Sequence, residues 1–192
     1  MKVEILKEEG LEYALRGMAY SYKDRAIAPE VWWTKEQYGK AAQRALKLAG
    51  KGGGHDKFLR QIVLWIDIEA PRCWWSEFDT YKVGTVAQSE STMHTLAKRP
   101  PTVFDFEEGT PLRVVDAFIA EWPEIKHDVT RLKLALPEGF LQRRLVTVNY
   151  EVLANLIKQR DGHRLKFWGQ TIEQLLVQVQ QPCLLPKLHE PS

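Results

Sequence analysis

The sequence predicts one α/β (α+β) domain in which a central mixed β-sheet is flanked by helices. Short β-rich runs, at Val3–Leu6, Ile62–Ile68 and Arg143–Val148, alternate with longer stretches of helical periodicity. A length of 192 residues suits one domain, and 44% hydrophobic with 27% charged residues is ordinary for a globular protein. Because neither an internal repeat nor a linker divides the chain, we expect a single domain over residues 1–192, with an irregular tail from about residue 182.

Glycines and prolines divide the first half of the chain into elements. The glycine-rich run at 50–54 separates two predicted helices from the central strand, and it lacks the spacing of a phosphate-binding P-loop. Pro71 should end the central strand, and Gly84 should end the helix after it. The predicted elements are an edge strand at Val3–Leu6, a helix at Leu11–Tyr22, a connector around Pro29 and Trp32–Trp33, a helix at 35–49 capped by Thr34, the strand Ile62–Ile68, and a helix from Arg72 that carries Trp74, Trp75, Phe78 and Tyr81.

The second half is predicted to contain a polar segment, a loop, and four helices around one strand. Residues 85–94 are polar, and the prolines at 100–101 and 111 bracket a candidate mobile lid. The predicted helices are Leu112–Trp122, Glu124–Leu136, Asn149–Arg160 and Arg164–Gln181, and the strand is Arg143–Val148.

Charge and cysteine content narrow the class of protein. The net charge of +2 gives no electrostatic argument for wholesale binding to nucleic acid or to a membrane, although it allows a local basic pocket. Cys73 and Cys183 lie far apart, which argues against a disulfide framework and a zinc site. No apolar stretch approaches the ~20 residues of a membrane span, and residues 1–10 lack the apolar region of a signal peptide. We therefore expect a cytoplasmic protein.

A search for familiar catalytic groups favours none of them. Ser89, Ser91 and His94 lie close in sequence but without a nucleophile elbow. The histidines are scattered, at positions 55, 94, 127, 163 and 189, so we expect no metal site. Asp67 and Glu69 share a strand face, but carboxylates near a strand end are usually solvated.

Basic and hydroxyl side chains concentrate around the predicted central strand and the following helix. Arg60, Arg72 and Lys82 can reach a phosphate, and arginine is favoured where the contact is bidentate. The seven tryptophans either form an aromatic core or offer ring faces to a planar heterocycle. This mixture suits a nucleotide or a flavin better than a peptide. A structural ion-pair network on an amphipathic helix stays open as the alternative. The short hydrogen-bonding side chains of this region are Thr80, Tyr81, Thr85, Gln88, Ser89 and Ser91.

Read as an ordered string, the chain resembles the flavin-dependent thymidylate synthases over most of its length. Gly10–Glu12 followed by Gly17–Ser21 resembles the opening strand and helix of that family. Gly54-His55 resembles its Gly-His segment, which precedes the core strand. Arg72 lies where the family has an arginine shortly after that strand.

The family's signature, Arg-His-Arg-x-x-Ser, matches the stretch Thr80–Thr85. Lys82 keeps a positive charge there without the planar fork of arginine, and Thr85 keeps the hydroxyl of the signature serine. Ser91–His94 resembles the downstream Ser-x-Arg-Tyr after a one-residue slip.

Features near the C-terminus follow the family's order as well. A Leu-Pro turn at Leu136–Gly139 precedes a strand that leads into Asn149, and Arg160 ends the next helix. Gln170 stands where the family's final helix presents an arginine.

The resemblance implies an enzyme in which a reduced flavin, FAD, relays a one-carbon unit from methylenetetrahydrofolate to dUMP, with NADPH as the reductant. It also implies a homotetramer with active sites shared between subunits. Arg72 and Lys82 would then contact phosphate, while Tyr81 and Thr85 would orient the base or the flavin. Because the flavin does the chemistry, no catalytic side chain is assigned. The predicted substrate- or cofactor-binding residues are His55, Arg72, Thr80, Tyr81, Lys82, Thr85, Ser89, Ser91, Asn149 and Arg160.

The second hypothesis is a nucleotide-binding or assembly protein that keeps the scaffold without turnover. The replaced signature cations are its main support. In that case Trp74, Trp75 and Phe78 would pack a subunit interface, and the polar run 85–94 would bind a ligand or a partner.

Overall fold

Four strands form an antiparallel sheet in the order β1-β2-β4-β3, flanked by helices. The structure, a computed structural model, describes residues 1–188, without the side chains of residues 29 and 30. His189 and the end of the predicted tail lie outside the described residues. The predicted fold class is confirmed, and the sheet expected to be mixed is antiparallel. The strands are β1 Lys2–Glu9, β2 Val63–Pro71, β3 Thr85–Ser89 and β4 Leu141–Asn149.

Strand β2 lies inside the sheet, as its apolar sequence predicts. Leu64, Ile66, Ile68 and Ala70 are all buried, and the residues between them are half-buried. This alternation follows from side chains that point to opposite faces of a strand. Because β1 and β4 flank β2, both its edges are paired, and Pro71 ends it where the sequence predicts.

Capping side chains fix the starts of three helices. Thr34 accepts a hydrogen bond from Gln37 N at 3.3 Å, Asp128 caps α7, and the Asn149 side chain accepts from Val152 N at 3.0 Å. The helices are α1 Leu11–Ala19, α2 Pro29–Trp32, α3 Lys35–Leu48, α4 Arg72–Phe78, α5 Thr92–Thr95, α6 Leu112–Ile125, α7 Val129–Ala135, α8 Tyr150–Arg160 and α9 Phe167–Leu176.

Three short elements were not predicted, and several predicted boundaries were wrong. The polar segment 85–94 contains β3 and α5, and the connector around Pro29 contains α2. Helix α4 ends at Phe78, which leaves Tyr81 in the following turn. The helix expected from Glu124 starts at Val129, because α6 continues to Ile125 and Asp128 caps a new helix. The last helix covers Phe167–Leu176, and the predicted irregular tail includes a 3-10 turn at Pro182–Leu184.

The chain divides into two compact units. Unit 1 comprises residues 1–3, 67–82 and 86–146, and unit 2 comprises residues 4–66, 83–85 and the chain from 147 onward. The expectation of one domain over residues 1–192 stays a prediction.

Unit 1 is built around an aromatic and aliphatic core from α6, α7 and the segments that precede and follow them. The loop 100–111, predicted to be a mobile lid, is held by hydrogen bonds in this unit. Thr102 and Asp105 form a capping box around a 3-10 turn, and Arg99 makes a bidentate ion pair with Asp105. Its mobility stays a prediction. The core residues are Leu96, Phe106, Val115, Phe118, Trp122, Ile125, Leu132, Leu136 and Phe140.

In unit 2 a buried tyrosine joins the first strand to the C-terminal region. The Tyr150 hydroxyl donates to Glu8 Oε1 at 2.7 Å and accepts from Gln181 N at 3.2 Å. The second oxygen of Glu8 accepts from Gln180 N at 2.8 Å. Burial, followed by the hydrogen bond to Glu8, raises the pKa of Tyr150 above its ordinary value. The phenol therefore stays protonated, and it can donate to Glu8.

Within residues 1–188, no helix has the length and apolar character that crossing a membrane requires.

Candidate functional site

A cleft of about 250 Å³ in unit 1 gathers three cationic side chains. Its other charged side chain is the carboxylate of Asp79, so the lining carries an excess of two positive charges. We call this the cationic cleft. It is lined by Arg72, Trp75, Ser76, Asp79, Thr92, Lys133, Gln142 and Arg144.

Helix α4 supplies one wall of the cationic cleft. Arg72 is the first residue of α4, and its N–H donates to Phe140 O at 3.1 Å, which fixes the start of the helix. Ser76 lies one turn later and donates to Arg72 O at 3.1 Å. Trp75 is 1% exposed and donates from Nε1 to Gln142 O at 2.8 Å. This hydrogen bond anchors α4 against strand β4.

Strand β4 supplies a second wall of the cationic cleft. Gln142 and Arg144 are two residues apart, so their side chains leave the same face of the strand. The Arg144 guanidinium donates to Asp79 Oδ1 at 2.7 Å and to Gln142 Oε1 at 3.1 Å. Its Cζ lies 4.2 Å from the centroid of the Trp75 ring, a cation–π distance. Arg144 is therefore held in place before any ligand binds.

Two cations of the cleft have weaker attachments. Arg72 lies 3.5 Å from Glu138 Oε1, a distance too long for a strong hydrogen bond. Lys133 Nζ donates to the buried Thr92 hydroxyl, a neutral acceptor. Both groups therefore keep much of their capacity to bind an anion.

A second cleft of unit 1, of about 190 Å³, is acidic. It includes Leu141, which precedes Gln142 on β4 and so points to the other face of the strand. Burial alone would raise the pKa of Asp105, but hydrogen bonds from Arg99 and from Thr102 N–H lower it below its ordinary value. The lining residues are Glu69, Glu90, Thr95, Leu96, Arg99, Pro101, Phe104, Asp105, Phe140 and Leu141.

Of the ten predicted site residues, all within residues 1–188, Arg72 lines the cationic cleft and nine do not. Lys82 is exposed in the turn after α4, outside both clefts. Thr80 donates its hydroxyl to Glu77 O at 2.7 Å, which caps the end of α4. The Tyr81 ring packs against Phe78, with centroids 6.2 Å apart.

The predicted site residues Ser89 and Ser91, and those of unit 2, also lie outside the cationic cleft. Ser89 ends β3 and is exposed, and the Ser91 carbonyl accepts from His94 N and Thr95 N at the start of α5. In unit 2, His55 is exposed and Asn149 caps α8. Arg160 lies 2.9 Å from His163 Nε2 and 4.6 Å from the Trp168 ring centroid.

Thr85, also in unit 2, has a buried hydroxyl for which the described residues provide no hydrogen-bond partner. It follows Gly84, whose φ of +74° and close approach to Val152 leave little room for a side chain. The roles of the nine predicted residues outside the cleft stay predictions.

Sequence reasoning missed most of the cleft. Lys133 comes from α7, and Arg144 comes from a strand whose inward face the sequence did not specify. The hypothesis that Trp74, Trp75 and Phe78 pack a subunit interface was wrong. These rings are buried within unit 1, where Trp74 stacks on Phe78 with centroids 5.0 Å apart. Among residues 1–188, no group of three His, Cys, Asp or Glu side chains is placed to hold a metal ion.

Comparison with known proteins shows a likeness in structure. Neither a family model nor a curated protein sequence matches the chain. The flavin dependent thymidylate synthase ThyX from Helicobacter pylori, complexed with FAD and dUMP, matches 96% of this chain and 98% of its own, with a TM-score of 0.78 and 13% identity. The chain has the thymidylate synthase ThyX fold.

A second structure of Helicobacter pylori ThyX, also with FAD and dUMP, gives the same result. It matches 96% of this chain and 99% of its own, with a TM-score of 0.76 and 14% identity. The resemblance inferred from the ordered motifs is therefore confirmed at the level of the ThyX fold.

Proposed function

We propose that the chain is a divergent flavin-dependent thymidylate synthase-like enzyme that acts on a pyrimidine nucleotide and holds the nucleotide phosphate in the cationic cleft. The observation that carries the proposal is the convergence of Arg72, Lys133 and Arg144 on one polar cleft. Two structures of the same fold are complexes with FAD and dUMP, which supports a nucleotide as the ligand.

The charge of the cleft favours a phosphate monoester. Its lining has an excess of two positive charges, and a phosphate monoester carries about −1.5 to −2 at neutral pH. Arg72 can form a bidentate pair with two phosphate oxygens, whereas Lys133 acts as a point charge. Each charge-assisted hydrogen bond contributes roughly 1.5–3 kcal/mol, so two such contacts give a useful share of the affinity.

The residues of the cationic cleft fit the phosphate of a ligand and not its ring. Trp75 is almost fully buried and Arg144 covers one of its faces, so the cleft offers no free aromatic face for stacking. FAD also carries phosphates that suit Arg72, Lys133 and Arg144. When bound, a reduced flavin supplies the electrons for one-carbon transfer.

The proposal further includes methylenetetrahydrofolate and NADPH as co-substrates, a homotetramer and a cytoplasmic location, all of which follow from the family resemblance.

We expect Arg72→Ala and Lys133→Ala each to weaken dUMP binding about tenfold or more, because each removes a charge-assisted contact. Isothermal titration calorimetry of the full chain with dUMP measures this. Lys98→Ala removes an exposed charge outside the cationic cleft and should leave the affinity unchanged. Wild-type affinity in both cleft variants would contradict the placement of the phosphate. Lys82→Ala tests the alternative from the family signature, in which Lys82 is the phosphate ligand.

A nucleotide-binding protein without turnover is the second candidate. The observation that favours it is the segment Thr80–Lys82, which stands in place of the signature cations and lines neither cleft, with Thr80 and Lys82 exposed. We expect the purified protein to take up added FAD and to show the visible absorbance of a bound flavin. If the protein stays colourless and still binds dUMP, the flavin-dependent enzyme hypothesis is rejected and the second candidate is supported.

A further inference from the structure

The near balance of charge over the whole chain conceals a strongly basic segment in unit 2. Residues 13–60 contain ten Lys and Arg and four Asp and Glu, an excess of six positive charges, against two for the whole chain. Charge that is distributed this unevenly is typical of a protein with a polyanionic partner. The cationic cleft lies in unit 1 and does not account for this excess.

Helix α3 arranges part of this charge as a stripe. Lys40, Arg44 and Lys47 are spaced i, i+4, i+7, so they share one face of the helix. Ala41 and Ala45, which are buried, define a different face. At 1.5 Å of rise per residue the stripe is about 10 Å long. Its acidic neighbour is Glu36, which pairs with Lys40 at 2.7 Å between exposed side chains, and such a pair is weak.

An exposed tyrosine adjoins the centre of this stripe. The Arg44 Cζ lies 3.7 Å from the centroid of the Tyr22 ring, and Tyr22 is 67% exposed. Tyr20, also on this segment, is 49% exposed. Aromatic rings beside a row of cations are the combination that proteins use to bind single-stranded nucleic acid. The rings stack with bases while the cations neutralise phosphates.

We propose that this face of α3 binds single-stranded nucleic acid, with phosphates on Lys40, Arg44 and Lys47 and a base stacked on Tyr22. A single strand fits better than a duplex, because a duplex keeps its bases stacked on one another and leaves none for the Tyr22 ring. The proposal is independent of the pyrimidine nucleotide site. It assigns a second ligand class to unit 2.

Fluorescence anisotropy of the full chain with a labelled oligothymidylate of 20 nucleotides tests the proposal. We expect the logarithm of the binding constant to fall with the logarithm of salt concentration with a slope of about −2, for three phosphate contacts on a single strand. The triple variant Lys40→Ala/Arg44→Ala/Lys47→Ala should lose most of that slope and bind about tenfold more weakly or worse. Tyr22→Ala should weaken binding about fivefold or more with little change of slope.

The matched control removes the same net charge elsewhere. Lys98→Ala/Lys158→Ala/Lys166→Ala replaces three exposed lysines outside α3 and should bind the oligonucleotide like the wild type. The proposal would be overturned if both triple variants lost the same affinity, or if the wild type did not bind the oligonucleotide. It would also be overturned if a duplex bound more tightly than the single strand and Tyr22→Ala left duplex binding unchanged. Circular dichroism verifies that the variants are folded. Calorimetry with dUMP should give the same affinity for the α3 variant and the wild type, which separates this test from that of the proposed function.

Discussion

Replacing Gly10 with alanine is expected to lower the free energy of unfolding by about 2–5 kcal/mol. Gly10 has a φ of +104°, and a Cβ there would lie 2.0 Å from the backbone oxygen of Gln61. The left-handed conformation costs an L-residue roughly 1–2 kcal/mol. The overlap adds the cost of moving a backbone segment, about 1–3 kcal/mol for overpacking in general. Urea denaturation followed by tryptophan fluorescence measures the loss.

Gly50→Ala is the matched control for this prediction. Gly50 also has a positive φ, +76°, but no atom lies within 4 Å of the position of its Cβ. Only the conformational cost applies there, so we expect a loss of about 1–2 kcal/mol. If the two variants lose the same stability, the close approach of Gly10 to Gln61 contributes nothing.

The second large effect is expected for Trp75→Ala, which should cost about 3–5 kcal/mol of unfolding free energy. Trp75 is buried and packs edge-on against Trp74, with ring centroids 4.8 Å apart, and against Phe78. Its removal leaves a cavity, and the Gln142 carbonyl loses its hydrogen bond from the indole. Arg144 also loses the ring under its guanidinium. We therefore expect weaker dUMP binding as well, measured by calorimetry at a temperature where the variant is folded.

Trp75→Phe separates the two parts of this prediction. Phenylalanine keeps an aromatic face for Arg144 but not the N–H that donates to Gln142. We expect a loss of about 1–3 kcal/mol of stability, because the part-buried Gln142 carbonyl loses the hydrogen bond from the indole and the smaller ring fills less of the core. The affinity for dUMP should stay closer to that of the wild type than in Trp75→Ala. If both variants bind dUMP like the wild type, the Trp75 ring does not position Arg144 for the ligand.

The sequence predicted elements well where one face of an element is buried. The β-rich apolar run Ile62–Ile68 identified β2, in which Leu64, Ile66 and Ile68 are buried and the residues between them are half-buried. Thr34 and Asn149 marked helix starts because their side chains cap them. Strand β3 was missed because it lies at the edge of the sheet and four of its five residues are exposed, so no alternation marks it.

The site was predicted less well, for a different physical reason. Arg72 was among the residues predicted, because it is a cation close to the central strand and matches an arginine of the family, and it lines the cationic cleft. Lys133 lies about sixty residues further along the chain and meets Arg72 only through the packing of unit 1. The periodicity of hydrophobic residues predicts local structure, and it does not predict a contact between residues this far apart in the sequence. The family signature directed attention to Lys82, and the structure places Lys82 outside the cationic cleft. A cationic side chain that is missing from one segment can be replaced by one from a distant segment, provided that the fold brings both segments to the same cleft.

The hydrogen bonds around Tyr150 have a consequence for biosynthesis. Glu8 is translated long before residues 180 and 181, whose amides donate to its carboxylate and to the Tyr150 hydroxyl. These hydrogen bonds of strand β1 therefore form only after about 170 further residues have been translated. We expect unit 2 to complete its folding only after residues 180 and 181 have been translated, with the Glu8 carboxylate hydrated and β1 open to competing pairings until then.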